Sequence, residues 1–156
     1  MPISEMMPAP ATGRFIAAAH HFPLRVYFED TDLSGLVYHA NYLRYMERAR
    51  SDMLRIAGID QRGNHEGGLG VYAVTDLQIK YRRPAKLDDD LMVVSQVADV
   101  RAASCAIHQS VRCGAEILTD ATISVAWLTP QGRPQRQPKA WTDIFTRLMQ
   151  GEDIRP

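Results

Sequence analysis

Cysteine is scarce. The chain has two, Cys105 and Cys113, eight steps apart in one strand-like run. At about 3.3 Å per residue their backbones stand roughly 26 Å apart, far beyond disulfide reach. They read as two packed thiols of a reducing compartment. With no Cys-x-x-Cys pair and no His-x-x-x-His partner, no metal site is expected. Net charge is absent too: 18 Lys and Arg face 18 Asp and Glu. Without a basic field, nucleic acid is not an expected partner. Long apolar runs are missing. The run at residues 15–19 stops at His20 and His21. That is short of a signal-peptide core and of the roughly 18–20 residues of a membrane span. A cytoplasmic chain with no membrane span is the expectation.

What is present is an ordinary globular composition, 46% hydrophobic and 23% charged over 156 residues, which suits one domain. Residues 1–20, rich in Met, Ala and Pro, read as a loosely ordered arm. Residues 21–130 carry the main domain. Residues 131–156 read as a linker and a short amphipathic helix over about 140–149, with Ile144, Phe145 and Leu148 on one side. Within the domain, residues 24–28 form a short strand pattern. From 41 to 57, Tyr42, Tyr45, Met46, Ala49, Met53 and Ile56 recur at helical steps. Arg44, Glu47, Arg48, Arg50, Asp52 and Arg55 are assigned to the opposite face, and Gly58 to the stop.

Four long strands follow, over 71–81, 91–100, 104–113 and 117–128, with a tight connection at Gly114 and Ala115. Val71, Ala73, Thr75, Leu77, Ile79 and Tyr81 are expected to share one face. A short strand, a long helix and then hairpin-linked strands give an α+β class. About five antiparallel strands would wrap around the helix and bury its apolar stripe.

The segment between the first strand and the helix carries the chemistry. Glu29, Asp30 and Asp32 crowd within four residues, and such crowding disfavours full ionisation unless something compensates. Gly35 permits an unusual backbone angle or the close approach of a ligand. The helix then opens near residues 39–41, and its first amides lack intrahelical partners. A carboxylate can attack a carbonyl or activate water. Free amides at a helix start can hold the oxyanion that forms. Spacing alone does not separate this chemistry from aspartates that merely cap turns.

The run from Arg25 through Tyr27, Phe28, Glu29, Asp30, Thr31 and Asp32, then residues 35–42 (GLVYHANY) and 47–50 (ERAR), resembles the hot-dog-fold acyl-CoA thioesterases. Within the 4-hydroxybenzoyl-CoA thioesterase family it looks most like the Tol–Pal-associated, YbgC-like group. The resemblance extends from about residue 24 to 138, through Lys80-Tyr81-Arg82-Arg83-Pro84-Ala85. It implies a curved sheet wrapped around the long helix. It also implies homodimers that pair sheets edge to edge, often joined as tetramers, with the active site at the dimer interface.

By that resemblance the catalytic carboxylate falls on Asp32, as nucleophile or general base. The carbonyl-polarising amide falls on His39, with Ala40 next to it, and the His39 side chain is implicated in activity. Gly35, Tyr38 and Glu47 are the positions expected to border the substrate, although Glu47 also has Arg48 and Arg50 within helical pairing distance. Asp30 and Glu29 are expected to shape the turn. Arg82, Arg83, Arg101 and Ser104 are the candidates for gripping coenzyme A, whose phosphates call for cations. The expected reaction hydrolyses an acyl thioester on coenzyme A, or on acyl carrier protein, without a cofactor. The rival expectations are a non-catalytic acyl-CoA-binding protein and a dehydratase on the same fold.

Overall fold

The computed structural model describes residues 1–154. Among them, six strands form one antiparallel sheet: β1 (Arg14–Ile16), β2 (Ala19–Arg25), β3 (Val71–Tyr81), β4 (Asp90–Val100), β5 (Ser104–Cys113) and β6 (Glu116–Leu128). Their spatial order is β1-β2-β4-β5-β6-β3. The helices are α1 (Ile3–Met6), α2 (Asn41–Ile56), α3 (Gln61–Glu66) and α4 (Lys139–Met149). Helix α2 lies against β2, β4 and β5, and α4 lies against β4. Register shifts in β3, β4 and the β5–β6 pair bend the strands, so the sheet curls around α2. The architecture is the expected α+β hot dog with one strand more than expected. No helix among the described residues is long and apolar enough to cross a membrane.

The α2 stripe is core. Tyr42, Tyr45, Met46, Ala49 and Met53 are all buried, and each large side chain contributes about 1.5–3 kcal/mol on leaving water. The helix ends at Gly58, whose φ of 87° few other residues adopt. The amides of Gly58 and Ile59 donate back to the carbonyls of Arg55 and Leu54, a Schellman motif.

Three expectations fail. Arg50 and Asp52, assigned to solvent, are buried at 8% and 5% exposure. Arg50 donates to Gln109 at 2.7 Å and also pairs with Glu47. The Asp52 carboxylate accepts from Thr12 Oγ1 (3.0 Å) and the Gly13 amide (2.9 Å), and lies 2.7 Å from His20 Nε2. Those bonds explain the second failure. Residues 1–20 are not a loose arm beyond residue 11, because Thr12 and Gly13 are fastened to α2, and β1 and the start of β2 follow. A Cβ on Gly13 would stand 2.4 Å from the His21 carbonyl oxygen, so only glycine passes there.

The shared face assigned to β3 is also wrong in its first half. A bulge at Thr75 separates the pairs Val74–Val125 and Asp76–Ser124. Tyr72 and Val74 therefore join Leu77 and Ile79 on the inner face, opposite Trp127, Val125, Ile123 and Ala121. Strand β3 is the last strand of the sheet, so one side of its ladder is open.

Candidate active site

The loop from β2 to α2 is held by its own backbone and by one buried acid. The amide of Val26 donates to Asp89 and that of Val37 to Ala85, both at 2.9 Å, which fixes the two ends against the β3–β4 connection. Val37 is buried there. Between them Asp30, at 9% exposure, accepts from the Tyr27 amide at 2.8 Å and from Asn41 Nδ2 at 2.9 Å. Its carbonyl accepts from the Tyr38 amide at 2.9 Å. Asp30 thus ties the loop to the first residue of α2, which is the turn-shaping role expected of it.

Asp32 lies two residues further on and is exposed. It opens a tight turn in which its amide donates to Leu36 and its carbonyl accepts from Gly35, both at 3.0 Å. Gly35 has a φ of 81°, and an added Cβ would meet nothing within 4 Å. Its role visible in the structure is therefore conformational. The Asp32 carboxylate accepts from the Ser34 hydroxyl at 2.5 Å and from the Ser34 amide at 2.8 Å. Those bonds, the hydroxyl's first, hold its carboxyl below the usual aspartate range against the opposing cost of desolvation, and the His39 ring adds a lesser lowering. The carboxylate remains ionised, and His39 lies within its electrostatic reach.

His39 sits at the mouth of α2. Its ring is 4.6 Å from that of Tyr38 and 6.3 Å from that of Tyr81, the last residue of β3. The Tyr38 carbonyl accepts from the Asn41 amide at 2.8 Å, and the Ala40 carbonyl from Leu43 at 3.1 Å. Among the described residues the amides of His39 and Ala40 donate to no protein group. They are the free donors expected at this helix start. Beside them a cleft of about 270 Å³ is lined by Val37, His39, Tyr42, Tyr81, Arg82 and Arg83, among others.

The structure brings Asp32, Tyr38, His39, Ala40, Arg82 and Arg83 to one end of the molecule. Arg82 and Arg83 stand at the cleft rim, each at least half exposed, in loose ion pairs with Asp120 (3.4 Å) and Glu116 (3.6 Å). Three expected residues do not join them within one protomer. Glu47 lies about two turns along α2, where it pairs with Arg50. Arg101 and Ser104 occupy the β4–β5 turn, joined by a backbone bond of 2.8 Å, and Arg101 pairs with Asp99 at 2.9 Å. That turn packs beside Trp127, which is paired with Tyr72, whereas Tyr81 pairs with Thr119. The two groups therefore lie at opposite ends of β3, on the order of 30 Å apart. In the sequence Tyr81 stands as a strand position within the Lys80–Ala85 string. Nothing in its spacing shows that its hydroxyl donates to the His39 carbonyl at 2.8 Å. Among the described residues no cluster of three His, Cys, Asp or Glu side chains is arranged to hold a metal ion.

Comparison with known proteins places the chain in a family. Residues 34–119 match the thioesterase superfamily. The chain is 43% identical over 105 residues to an acyl-CoA thioesterase, YbgC, of Haemophilus influenzae, a match covering 67% of this chain and 77% of that protein. It is 34% identical over 121 residues to the acyl-CoA thioester hydrolase YbgC of Escherichia coli, covering 76% and 90% of the two chains. The crystal structure of a probable thioesterase from Bartonella henselae superposes with a TM-score of 0.73 at 34% identity, covering 77% of this chain and 99% of that one. On its sequence and its fold, the chain belongs to the thioesterase superfamily.

Proposed function

We propose that the chain is an acyl-CoA thioesterase, releasing a free acid and coenzyme A. Two observations support this reading: the Asp32 carboxylate is held ionised on the loop that runs into α2, within electrostatic reach of His39, and the amides of His39 and Ala40 are unpartnered at that helix start. Asp32 attacks the thioester carbonyl, or takes a proton from the water that does. The new C–O bond leaves an oxyanion, which the amides of His39 and Ala40 hold. Collapse breaks the C–S bond, and the thiolate is stable enough to leave without a strong acid and is protonated by solvent. The water route gives the free acid directly, whereas the nucleophilic route leaves an acyl–Asp32 anhydride that a water molecule then hydrolyses to the acid and the free carboxylate. This chemistry needs no metal or redox cofactor. Arg82 and Arg83 offer cations to the phosphates of the carrier.

The working unit in this reading is a homodimer formed along β3. Its eleven residues present an open ladder, which natural sheets rarely leave uncovered. Antiparallel pairing with a second copy would bring the β4–β5 turn of that copy, with Arg101 and Ser104, toward the cleft of the first. The free thiols Cys105 and Cys113 support a reducing, cytoplasmic setting.

The test is thiol release from a panel of short-chain, long-chain and aromatic acyl-CoAs by the purified protein. Release from at least one member is expected; binding without release would favour a sensor. A pH profile adds a sharper check. Ser34→Ala removes the hydroxyl bond that most lowers the Asp32 pKa. The carboxyl then rises toward its ordinary value, and its ionised fraction is lost at higher pH than before. The acid limb of kcat/KM should move upward in pH, and an unmoved limb would count against Asp32 as the titrating group.

A further inference from the structure

The oxyanion site of the proposed reaction depends on two successive peptide groups, and they are held differently. The Tyr38–His39 peptide is fixed by local backbone, because the Tyr38 carbonyl accepts from the Asn41 amide at 2.8 Å. The His39–Ala40 peptide has no such backbone partner. Its carbonyl accepts instead from the Tyr81 hydroxyl at 2.8 Å, a side chain forty-two positions away at the end of β3. Tyr81 is itself braced, its ring standing edge-on to Tyr42 at 5.6 Å and to His39 at 6.3 Å. Tyr42 in turn accepts from the Ala85 amide at 3.0 Å, so this support reaches into the core.

A trans peptide is planar, and its C=O and N–H point in opposite directions. Whatever fixes the His39 carbonyl therefore fixes where the Ala40 amide points. A carbonyl that accepts a hydrogen bond also polarises its own N–H into a stronger donor. Partial burial raises the Tyr81 phenol above its ordinary range, so the O–H stays a donor at neutral and mildly alkaline pH.

We infer that Tyr81 is a positioning residue for the thioesterase reaction, aiming and strengthening the Ala40 amide through its bond to the His39 carbonyl. This rests on the thioesterase reading above. Tyr81 does not touch the reacting atoms in this role; it acts through the peptide. The effect should appear only when charge develops on the carbonyl oxygen. Deleting an oxyanion donor outright costs about a hundredfold to a thousandfold in kcat, so loosening one should cost about tenfold.

The experiment compares Tyr81→Phe with the unchanged protein on its best acyl-CoA substrate. Expected are a kcat about tenfold lower, an unchanged KM, and unshifted limbs in the pH–rate profile. Affinity for a non-hydrolysable thioether analogue of the substrate should stay the same, while affinity for a trifluoromethyl ketone analogue, which forms a tetrahedral adduct, should fall by the same factor as kcat. Wild-type kcat in Tyr81→Phe would overturn the proposal. So would an equal loss of affinity for both analogues, or a lowered melting temperature that accounts for the lost activity, because either is what a merely structural tyrosine gives. Asp32→Asn serves as the reference. Turnover lost there but intact in Tyr81→Phe removes the role of Tyr81 and leaves the hydrolase reading standing. No thiol release by the unchanged protein removes both.

Discussion

Asp32→Asn should lower thioester turnover at least about a thousandfold while leaving the protein folded and able to bind its ligand. The carboxamide has nearly the same shape, and its oxygen still accepts from the hydroxyl and amide of Ser34. What it loses is the negative charge. An amide neither attacks a carbonyl at a useful rate nor takes a proton from water. The amides of His39 and Ala40 remain, so some rate above the uncatalysed reaction persists. Thiol release measures the first effect, and titration with a thioether analogue of the substrate measures the second. Because the side chain is exposed, the melting temperature should hold to within a degree or two. Unchanged turnover would reject Asp32 as the reacting carboxylate.

Asp30→Ala should act first on stability, although it lies only two residues away. The Asp30 carboxylate is buried and accepts from the Tyr27 amide and from Asn41 Nδ2. Truncation leaves both donors without a partner. Losing charge-assisted bonds in a buried setting costs about 2–4 kcal/mol. For a domain of this size that is a fall of roughly 10 °C in Tm. Activity falls as well, because the loop that carries Asp32 is no longer tied to the start of α2. Asp30→Asn should lie between the two. Its oxygen satisfies one donor, but its NH2 group meets the other donor head-on. Thermal unfolding of the three proteins, with the same thiol assay, checks the order. An Asp30→Ala protein as stable as its parent would show that the brace is not holding the loop.

This contrast marks where sequence reasoning stopped. The spacing of Asp30 and Asp32 did not say which was structural and which was chemical; only the resemblance separated them. The long helix was legible because its stripe repeats at one period, and Gly58 closed it. The hairpin at Gly114 and Ala115 was legible because turn chemistry is local. What failed depended on partners far along the chain. Arg50 and Asp52 looked solvated because their satisfying groups, Gln109, His20, Thr12 and Gly13, lie thirty or more positions away. The first strand was missed for the same reason, since its hairpin is held down by Asp52. The bulge at Thr75 turned a correct alternation into a wrong face. A strand pattern carries no mark of the one residue that is left unpaired.

The unpartnered donors at the mouth of α2 have a practical consequence for mutagenesis. Their chemistry belongs to main-chain nitrogen, so exchanging the side chains of His39 or Ala40 for anything but proline leaves the N–H groups in place. An alanine scan would register Asp32 and leave both main-chain donors untouched. Semisynthesis with an ester linkage before residue 40, which replaces N–H by oxygen and keeps the side chain, would expose the contribution of the Ala40 donor.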